Sequence, residues 1–285
     1  MPGAKELDPG DSVEQYLGNM VREARLALGR DWTQAHLAAK VFSSGSRISE
    51  IERGEDPPDR DLAKKLEIVL RLPPGALVHL VKILGQQSVR NYARVLSRQD
   101  VRSYAKTYMR RQLEATAIHE FSMGVPGLLQ TRGYARGSME RGIAGSPDQI
   151  DGFVQTRMGR QVVLGRTEPP WMVVVLDEAG LCREMGGREV MREQVEHLLS
   201  LAQRPHLNIQ VLPAKTASVV GSFALLTLPG EKRGAYTEGF STGNYTEDPD
   251  VVMRFQQVHD LLRQDALDPR ASYELMHAIA KRHGA

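Results

Sequence analysis

Thr33-Gln34-Ala35-His36-Leu37-Ala38-Ala39-Lys40-Val41-Phe42-Ser43-Ser44-Gly45-Ser46-Arg47-Ile48-Ser49-Glu50-Ile51-Glu52-Arg53-Gly54 spells two short helices joined by a tight turn. Leu37, Val41, Ile48 and Ile51 are spaced so that both helices turn an apolar face inward, and Ala38 is small enough to let them cross closely. Ser44 is placed to cap the second helix, its hydroxyl accepting from a first-turn amide. That leaves Gly45, Ser46, Ser49 and Glu50 on the outward face, at the end that would enter a major groove. Gly54 supplies a left-handed stop, and Pro57-Pro58 forbid continuation. The flanks agree. Leu17 to Leu28 reads as a preceding helix with Leu17, Val21, Ala24 and Leu28 on one stripe, Asp61 to Leu70 as a fourth, and Ala76 to Leu84 as a fifth after Pro73-Pro74.

From Thr33 to Gly54 the order of residues resembles the phage-repressor-like, or xenobiotic-response-element type, helix-turn-helix family. The resemblance implies double-stranded DNA as the partner. One position departs from it: Phe42 stands where the turn usually carries glycine, and phenylalanine tolerates positive φ poorly, so a remodelled turn is expected. Phosphate positioning falls to Gln34, to Arg53 and to amides at the helix starts. Base readout falls to Ser44, Gly45, Ser46, Ser49 and Glu50, with Arg47 reaching a guanine edge or the backbone. Glu52 reads either as a core-facing staple or, preferred, as a surface partner of Arg47 or Arg53. Small hydroxyls discriminate weakly, which argues for a homodimer reading half-sites about 34 Å apart or a multiple of it.

Composition bounds the remainder. The 285 residues suffice for two domains, of about 80 and about 170 residues. The sequence reads as a disordered tail at 1–12, a five-helix, mainly α DNA-binding domain at 13–85, a basic helical linker at 86–116 and an α+β domain at 117–285. With no run of 18 apolar residues and no leader pattern, a cytoplasmic protein without a membrane partner is expected. The single cysteine, Cys182, excludes an internal disulfide and a cysteine cluster for zinc, and reads as a buried small hydrophobe. No cofactor and no metal are expected. Residues 1–85 carry 12 Lys and Arg against 13 Asp and Glu, whereas 86–118 carry 7 against 2. Arg90, Arg94, Arg98, Arg102, Lys106 and Arg110 recur every fourth position, a slowly winding stripe if helical. Such a stripe could follow phosphates, but a solvated linker face or an interdomain salt-bridge row is the preferred reading.

Beyond residue 116 strands and helices alternate irregularly, as in an α+β domain built on a small mixed sheet. Strands are expected at Ala117 to Met123, Trp171 to Glu178, Leu207 to Leu212, Ser222 to Leu228 and Ala235 to Phe240. Helices are expected to open near Tyr134 and to cover Asp148 to Leu164 and Glu189 to Gln203. Asp248-Pro249 and Asp268-Pro269 start two more, near 249–264 and 269–283.

The phrases Val125-Pro-Gly-Leu-Leu-Gln-Thr-Arg-Gly-Tyr-Ala-Arg136, Arg157-Met-Gly-Arg-Gln161, Leu176-Asp-Glu-Ala-Gly-Leu181 and Gln210-Val-Leu-Pro213, followed by Gly221-Ser-Phe223, resemble the uncharacterised carboxy-terminal domain of WhiJ-like, Scr-type actinobacterial regulators. The resemblance spans about residues 95 to 280. It implies a regulator in development or secondary metabolism, similar to antitoxin-like factors that act with a small partner protein encoded nearby. Lys215-Thr216-Ala217-Ser218 stands where that family often carries glycine and histidine.

No catalytic signature occurs, so no enzyme is expected. His119-Glu120 reads as a strand-edge pair. Glu178 could hold a charge at a pocket rim opposite Arg157 or Arg160, although a structural salt bridge explains these residues equally well. Tyr134, Trp171 and Tyr236 could line an effector or partner cavity, against the commoner use of such residues in cores. The sequence thus points to a sequence-specific DNA-binding transcriptional regulator whose carboxy-terminal domain senses a small partner protein or a metabolite. The alternative is an antitoxin-like protein that sequesters a small partner and regulates its own operon.

Overall fold

Short polar side chains start the amino-terminal helices. Ser12, Thr33, Ser44 and Asp59 each accept a first-turn amide, and from them run α1 (Val13–Ala27), α2 (Gln34–Val41), α3 (Gly45–Glu52) and α4 (Arg60–Val69). A fifth helix, α5, covers 76–85. The buried carboxylate of Glu67 accepts from the amides of Gly75, Leu77 and Val78 at 2.7 to 3.0 Å, where the dipole of α5 favours negative charge. The coordinates are a computed structural model that describes residues 12–85, 103–142, 145–166, 168–216, 221–239 and 242–284. The chain divides into two units, Met1–Arg90 and Asn91–Ala285.

In the first unit Leu17, Val21, Leu37, Val41, Ile48, Ile51, Leu66 and Leu77 share one buried cluster, as the apolar spacing requires. The α1 to α3 crossing depends on two glycines. A Cβ on Gly18 would lie 2.5 Å from the Ile51 carbonyl oxygen, and Gly54, at φ 68°, lies against the Gln15 backbone. The expected remodelling of the turn is corrected: Phe42 itself takes the left-handed conformation, at φ 57° and ψ 52°. Its ring is 83% exposed, with the Lys65 ammonium 5.8 Å from the centroid, so the side chain asks nothing of the core while the backbone carries the strain. The expected tail at 1–12 lies outside the described residues except for Ser12, which caps α1.

The second unit is α+β. Its strands are β1 (Ala117–Ser122), β2 (Trp171–Asp177), β3 (Leu207–Leu212), β4 (Phe223–Thr227), β5 (Arg233–Glu238) and β6 (Gly243–Thr246). They form one mixed sheet in the order β3-β2-β1-β4-β5-β6. The first three neighbours run parallel and the others antiparallel. Its helices are α6 (Ser103–Glu114), α7 (Arg132–Arg141), α8 (Pro147–Arg160), α9 (Glu178–Cys182), α10 (Arg188–Leu201), α11 (Pro249–Asp265) and α12 (Pro269–Gly284). One sheet face, with Ile118, Met172, Val174 and Leu226, packs on Leu198 of α10 and Met276 and Ile279 of α12. The other, with Phe121, Val175 and Phe223, packs on Val252 and Leu262 of α11.

Several expectations are corrected here. Glu178 opens α9, because Asp177 turns from strand to cap and accepts the Ala179 amide. The helix expected to run to Leu164 ends at Arg160 and tightens into a 3-10 turn. His119 and Glu120 lie on a central strand, paired on both sides, and not at an edge. Cys182 is exposed. The stretch read as a basic linker is partly core: Tyr108 and Ala115 are buried in the second unit. Arg90, Arg94, Arg98 and Arg102 fall outside the described residues.

Candidate functional site

The residues expected to meet DNA lie at the start of α3 and around it. The Ser44 hydroxyl accepts the Arg47 amide at 3.1 Å and lies 3.0 Å from the Ser46 hydroxyl. Ser46 is exposed, and Gly45, Ser49 and Glu50 are half-buried beside it. Both arginines are engaged by neighbours in the same unit, Arg47 half-buried and Arg53 exposed. Arg47 donates to the carbonyls of Asp56 at 2.9 Å and Pro57 at 2.8 Å, pairs with the Asp56 carboxylate and lies 3.7 Å from that of Glu50. The Arg47 guanidinium is thus engaged by two carbonyls and a carboxylate of the segment after α3. Arg53 is held by the Ser49 hydroxyl and by Glu55 at 2.8 Å.

Glu52 is not a surface partner of Arg47 or Arg53. It is 3% exposed and takes Arg25 of α1 side-on, Nε to Oε1 at 2.5 Å and Nη2 to Oε2 at 2.8 Å. A second donor to Oε2 is the Gln34 amide, at 2.8 Å, and Arg25 also donates to the Trp32 carbonyl at 2.7 Å. Glu52 therefore staples α1, α2 and α3 together and orients Gln34, whose own amide nitrogen faces inward and whose Oε1 is left for other contacts. Sequence reasoning missed Arg25; its place on the inward stripe of α1, one turn from Val21, was the signal.

In the second unit the resemblance phrases meet one another at the carboxyl ends of the parallel strands, where ligand crevices form in such sheets. Gln130 donates to the Val125 carbonyl at 2.8 Å and accepts from Arg157 at 3.0 Å, while Gln161 donates to the Gln130 carbonyl at 2.6 Å. Buried Gln194 of α10 ties the same loop through Thr131 and Leu129. Arg160 is buried, donates to Gln112 at 2.8 Å and lies over the Tyr108 ring at 5.6 Å. Tyr108 stacks on Tyr236 with centroids 3.9 Å apart.

Arg157, Arg160 and Tyr236 are thus brought together, Tyr134 borders Arg157 through Val125 and Gln130, and Trp171 and Glu178 lie elsewhere. Tyr134 is buried and accepts from the Val125 amide. Trp171 sits half-exposed at the opposite end of its strand. Glu178 accepts from the Ala214 amide at 2.9 Å, which ties the turn after β3 to α9 and leaves it away from both arginines.

The residue that completes the group is Glu120. Register places it on the same face as Ile118 and, through Ala224, on one rung with Tyr236. Burial pushes its carboxyl up to about 7 against the pull of Arg160 and Arg157. Burial, then the charge of Arg160, bring Arg157 down to about 10 despite Glu238 and Glu120. The alternation Ile118, Glu120, Ser122 was the sequence signal that an acid lies on an apolar face. Among the described residues no group of three His, Cys, Asp or Glu side chains is placed to hold a metal, and no helix is long and apolar enough to cross a membrane.

Comparison with known families places residues 21–77 in a family described as helix-turn-helix, and residues 105–278 in one described as a domain of unknown function, DUF5753. No curated protein and no solved structure matches the chain.

Proposed function

This chain belongs to the DUF5753 family and carries a helix-turn-helix ahead of that domain, which makes it a DNA-binding transcriptional regulator; from that premise we propose a homodimer whose α3 reads an operator and whose second unit receives a signal. The signal is a small molecule or a small protein, and the chain works by binding, without catalysis. The resemblance of its carboxy-terminal phrases to WhiJ-like regulators supports a place in development or secondary metabolism, and a cytoplasmic one. The observation that carries the DNA reading is the start of α3: a serine-capped helix end with Gly45, Ser46, Ser49 and Glu50 around an accessible face, stapled from behind by Glu52.

Selection of bound duplexes from a random pool by the full chain tests it. The expected product is a site with two-fold symmetry and half-sites one or more helical turns apart, bound with a salt-dependent affinity. A pool that stays random after selection would remove operator reading. Gel filtration of the full chain at micromolar concentration tests the dimer. An antitoxin-like role, in which a small partner is held and the operon adjusted, predicts instead that the partner's stoichiometric capture persists when operator binding is abolished.

A further inference from the structure

The two most exposed large apolar side chains among the described residues stand in the first unit. Phe42, between α2 and α3, is 83% exposed, and Ile68 of α4 is 78% exposed. Lys65 joins them: its ammonium lies 5.8 Å from the Phe42 ring centroid, and it precedes Ile68 by three residues, the spacing of neighbours on a helix face. The exposed cations next to this pair in sequence are Lys40 in the last turn of α2, Lys64 one turn before Ile68, and Arg71 just beyond α4. Asp61, two turns before Ile68, is the acid on the same stripe, whereas Glu67 is buried and turned to the start of α5. Of the three described residues other than glycine with positive φ, two border this surface, Phe42 and Arg71. Backbone strain of that kind persists where the side chain is used, and the buried cluster of the unit does not use the Phe42 ring. Nor does it use Ile68, because α4 turns Ala63 and Leu66 inward and leaves Ile68 on the opposite side.

We propose that Phe42 and Ile68 form a docking surface for another protein, and that the segment it takes is an acidic amphipathic helix, its apolar side chains on the Phe42 ring and Ile68 and its carboxylates on Lys64, Lys65 and Arg71. The sign of the rim selects this occupant. A second copy would bring the same lysines against one another about a two-fold axis. The stretch 86–118 of the chain carries 7 Lys and Arg against 2 Asp and Glu, so it has the sign of the rim and is repelled as well. Duplex DNA has the complementary charge, but its phosphate oxygens leave an exposed ring and an isoleucine in water. An acidic helix with an apolar face satisfies both halves of the patch. The surface adds a protein partner to operator reading and does not depend on what the second unit receives.

The test is fluorescence anisotropy of the full chain with three labelled peptides that share leucines at i, i+3, i+4 and i+7 and carry Glu, Gln or Lys at the other positions. The Glu peptide is expected to bind, and the Gln and Lys peptides to bind about tenfold more weakly or worse. Phe42→Gly and Ile68→Gln are each expected to weaken the Glu peptide by about tenfold or more, and Lys65→Glu to reverse the order of the Glu and Lys peptides. Glycine fits the backbone at position 42 and glutamine fits an exposed helix position at 68, so both variants keep the fold, which urea unfolding checks. A Glu peptide that binds no tighter than the Gln peptide, or that binds both variants as well as the parent, would overturn the surface. So would a loss of duplex affinity in Ile68→Gln, which keeps every charge and would move the patch onto DNA. A change of gel-filtration size in either variant would make it a contact between copies and overturn it too. Operator affinity is expected to stay unchanged in both variants while peptide binding is lost. A parent chain that prefers no duplex but still takes the Glu peptide would remove operator reading and leave this surface standing.

Discussion

Arg25 and Glu52 meet side-on between the first and third helices, with two nitrogen-oxygen contacts of 2.5 and 2.8 Å and at least nine-tenths of each side chain out of solvent. A buried pair of this kind adds little over apolar residues of similar volume, but removing one partner leaves an uncompensated charge. Glu52→Ala is therefore expected to cost the first unit about 3 to 5 kcal/mol, and Arg25→Met with Glu52→Leu to recover most of it. Urea denaturation followed through Trp32 in a Trp171→Phe background reads that unit. A single replacement costing no more than the double would show that the pair is not a unit.

Arg47 pairs with the Asp56 carboxylate in the segment that follows α3. Asp56→Asn removes the carboxylate while leaving the two carbonyl contacts, so Arg47 is expected to reach DNA at lower cost. If Arg47 lands on phosphate, affinity rises for every sequence and the log-log salt slope steepens by about 0.9. If it lands on a base, the gain is confined to the operator and Arg47→Ala weakens specific more than non-specific binding. Fluorescence anisotropy at four potassium chloride concentrations distinguishes these, and an unchanged affinity in Asp56→Asn would mean that Arg47 stays folded back in the complex.

Phe42 gives a smaller effect of the opposite sign. A left-handed L-residue costs about 1 to 2 kcal/mol, and glycine recovers this less its own entropy in the unfolded chain. Phe42→Gly loses an exposed ring and one cation-π contact with Lys65. A net gain of about 0.5 kcal/mol in the first unit is expected, measured as a rise in the urea midpoint at constant slope. A loss above about 1 kcal/mol would place the ring in a contact that exposure does not reveal.

The helices and strands were legible where local chemistry decides them. Ser44, Asp248 and Asp268 accept first-turn amides as their positions suggest, and Leu207–Leu212 is a strand to the residue. The candidate sites were legible in part, because their geometry is set across the chain. Nothing near Glu52 in sequence announces Arg25, 27 residues away, nor does anything near Arg157 announce Gln130 or Glu120. Strand order was equally hidden: His119-Glu120 reads as an edge pair until β2 and β4 are known to flank it. The short β6 escaped notice because Gly243-Asn-Tyr-Thr246 is a strand only through its pairing with β5. Trp171, whose apolar run looks wholly inward, shows its ring to solvent because it is the first residue of the strand.

Glu120 makes stability fall as pH rises. Its folded pKa of about 7 stands above the ordinary carboxylate value of 4.5, so the folded chain holds the proton more tightly than the unfolded one. Stability is full below about pH 4.5 in this respect and is lost through pH 7, at about 1.4 kcal/mol per unit of displacement before solvent screening reduces it. Glu120→Gln is expected to raise the melting temperature of the second unit at pH 8, by an amount worth about 2 kcal/mol, and to change it little at pH 4.5. Equal effects at the two pH values would assign the carboxyl an ordinary pKa.

His259 acts at the acid side with the opposite slope. It lies on α11, is 1% exposed, has no hydrogen-bond partner on either ring nitrogen, and stacks on His119 of β1 with centroids 5.2 Å apart. Burial, then the neighbouring His119, bring its pKa down to about 4 from 6.5, with Asp260 opposing and Arg263 assisting. Burial also lowers His119, against a hydrogen bond that its ring donates to Gln256. A depressed histidine pKa means that the folded state holds the neutral ring. Its contribution is intact above about pH 6.5 and disappears as pH falls toward 4, when protonation would place a cation against a second imidazole and the ring of Phe223, 6.4 Å away. His259→Phe keeps the stacked ring and removes the titrating group. The substitution is expected to be near neutral at pH 7.5 and to gain about 2 kcal/mol at pH 4.5. Thermal melts of the full chain across that range check it. A variant that follows the parent's acid limb point for point would move the acid sensitivity of this unit to other groups.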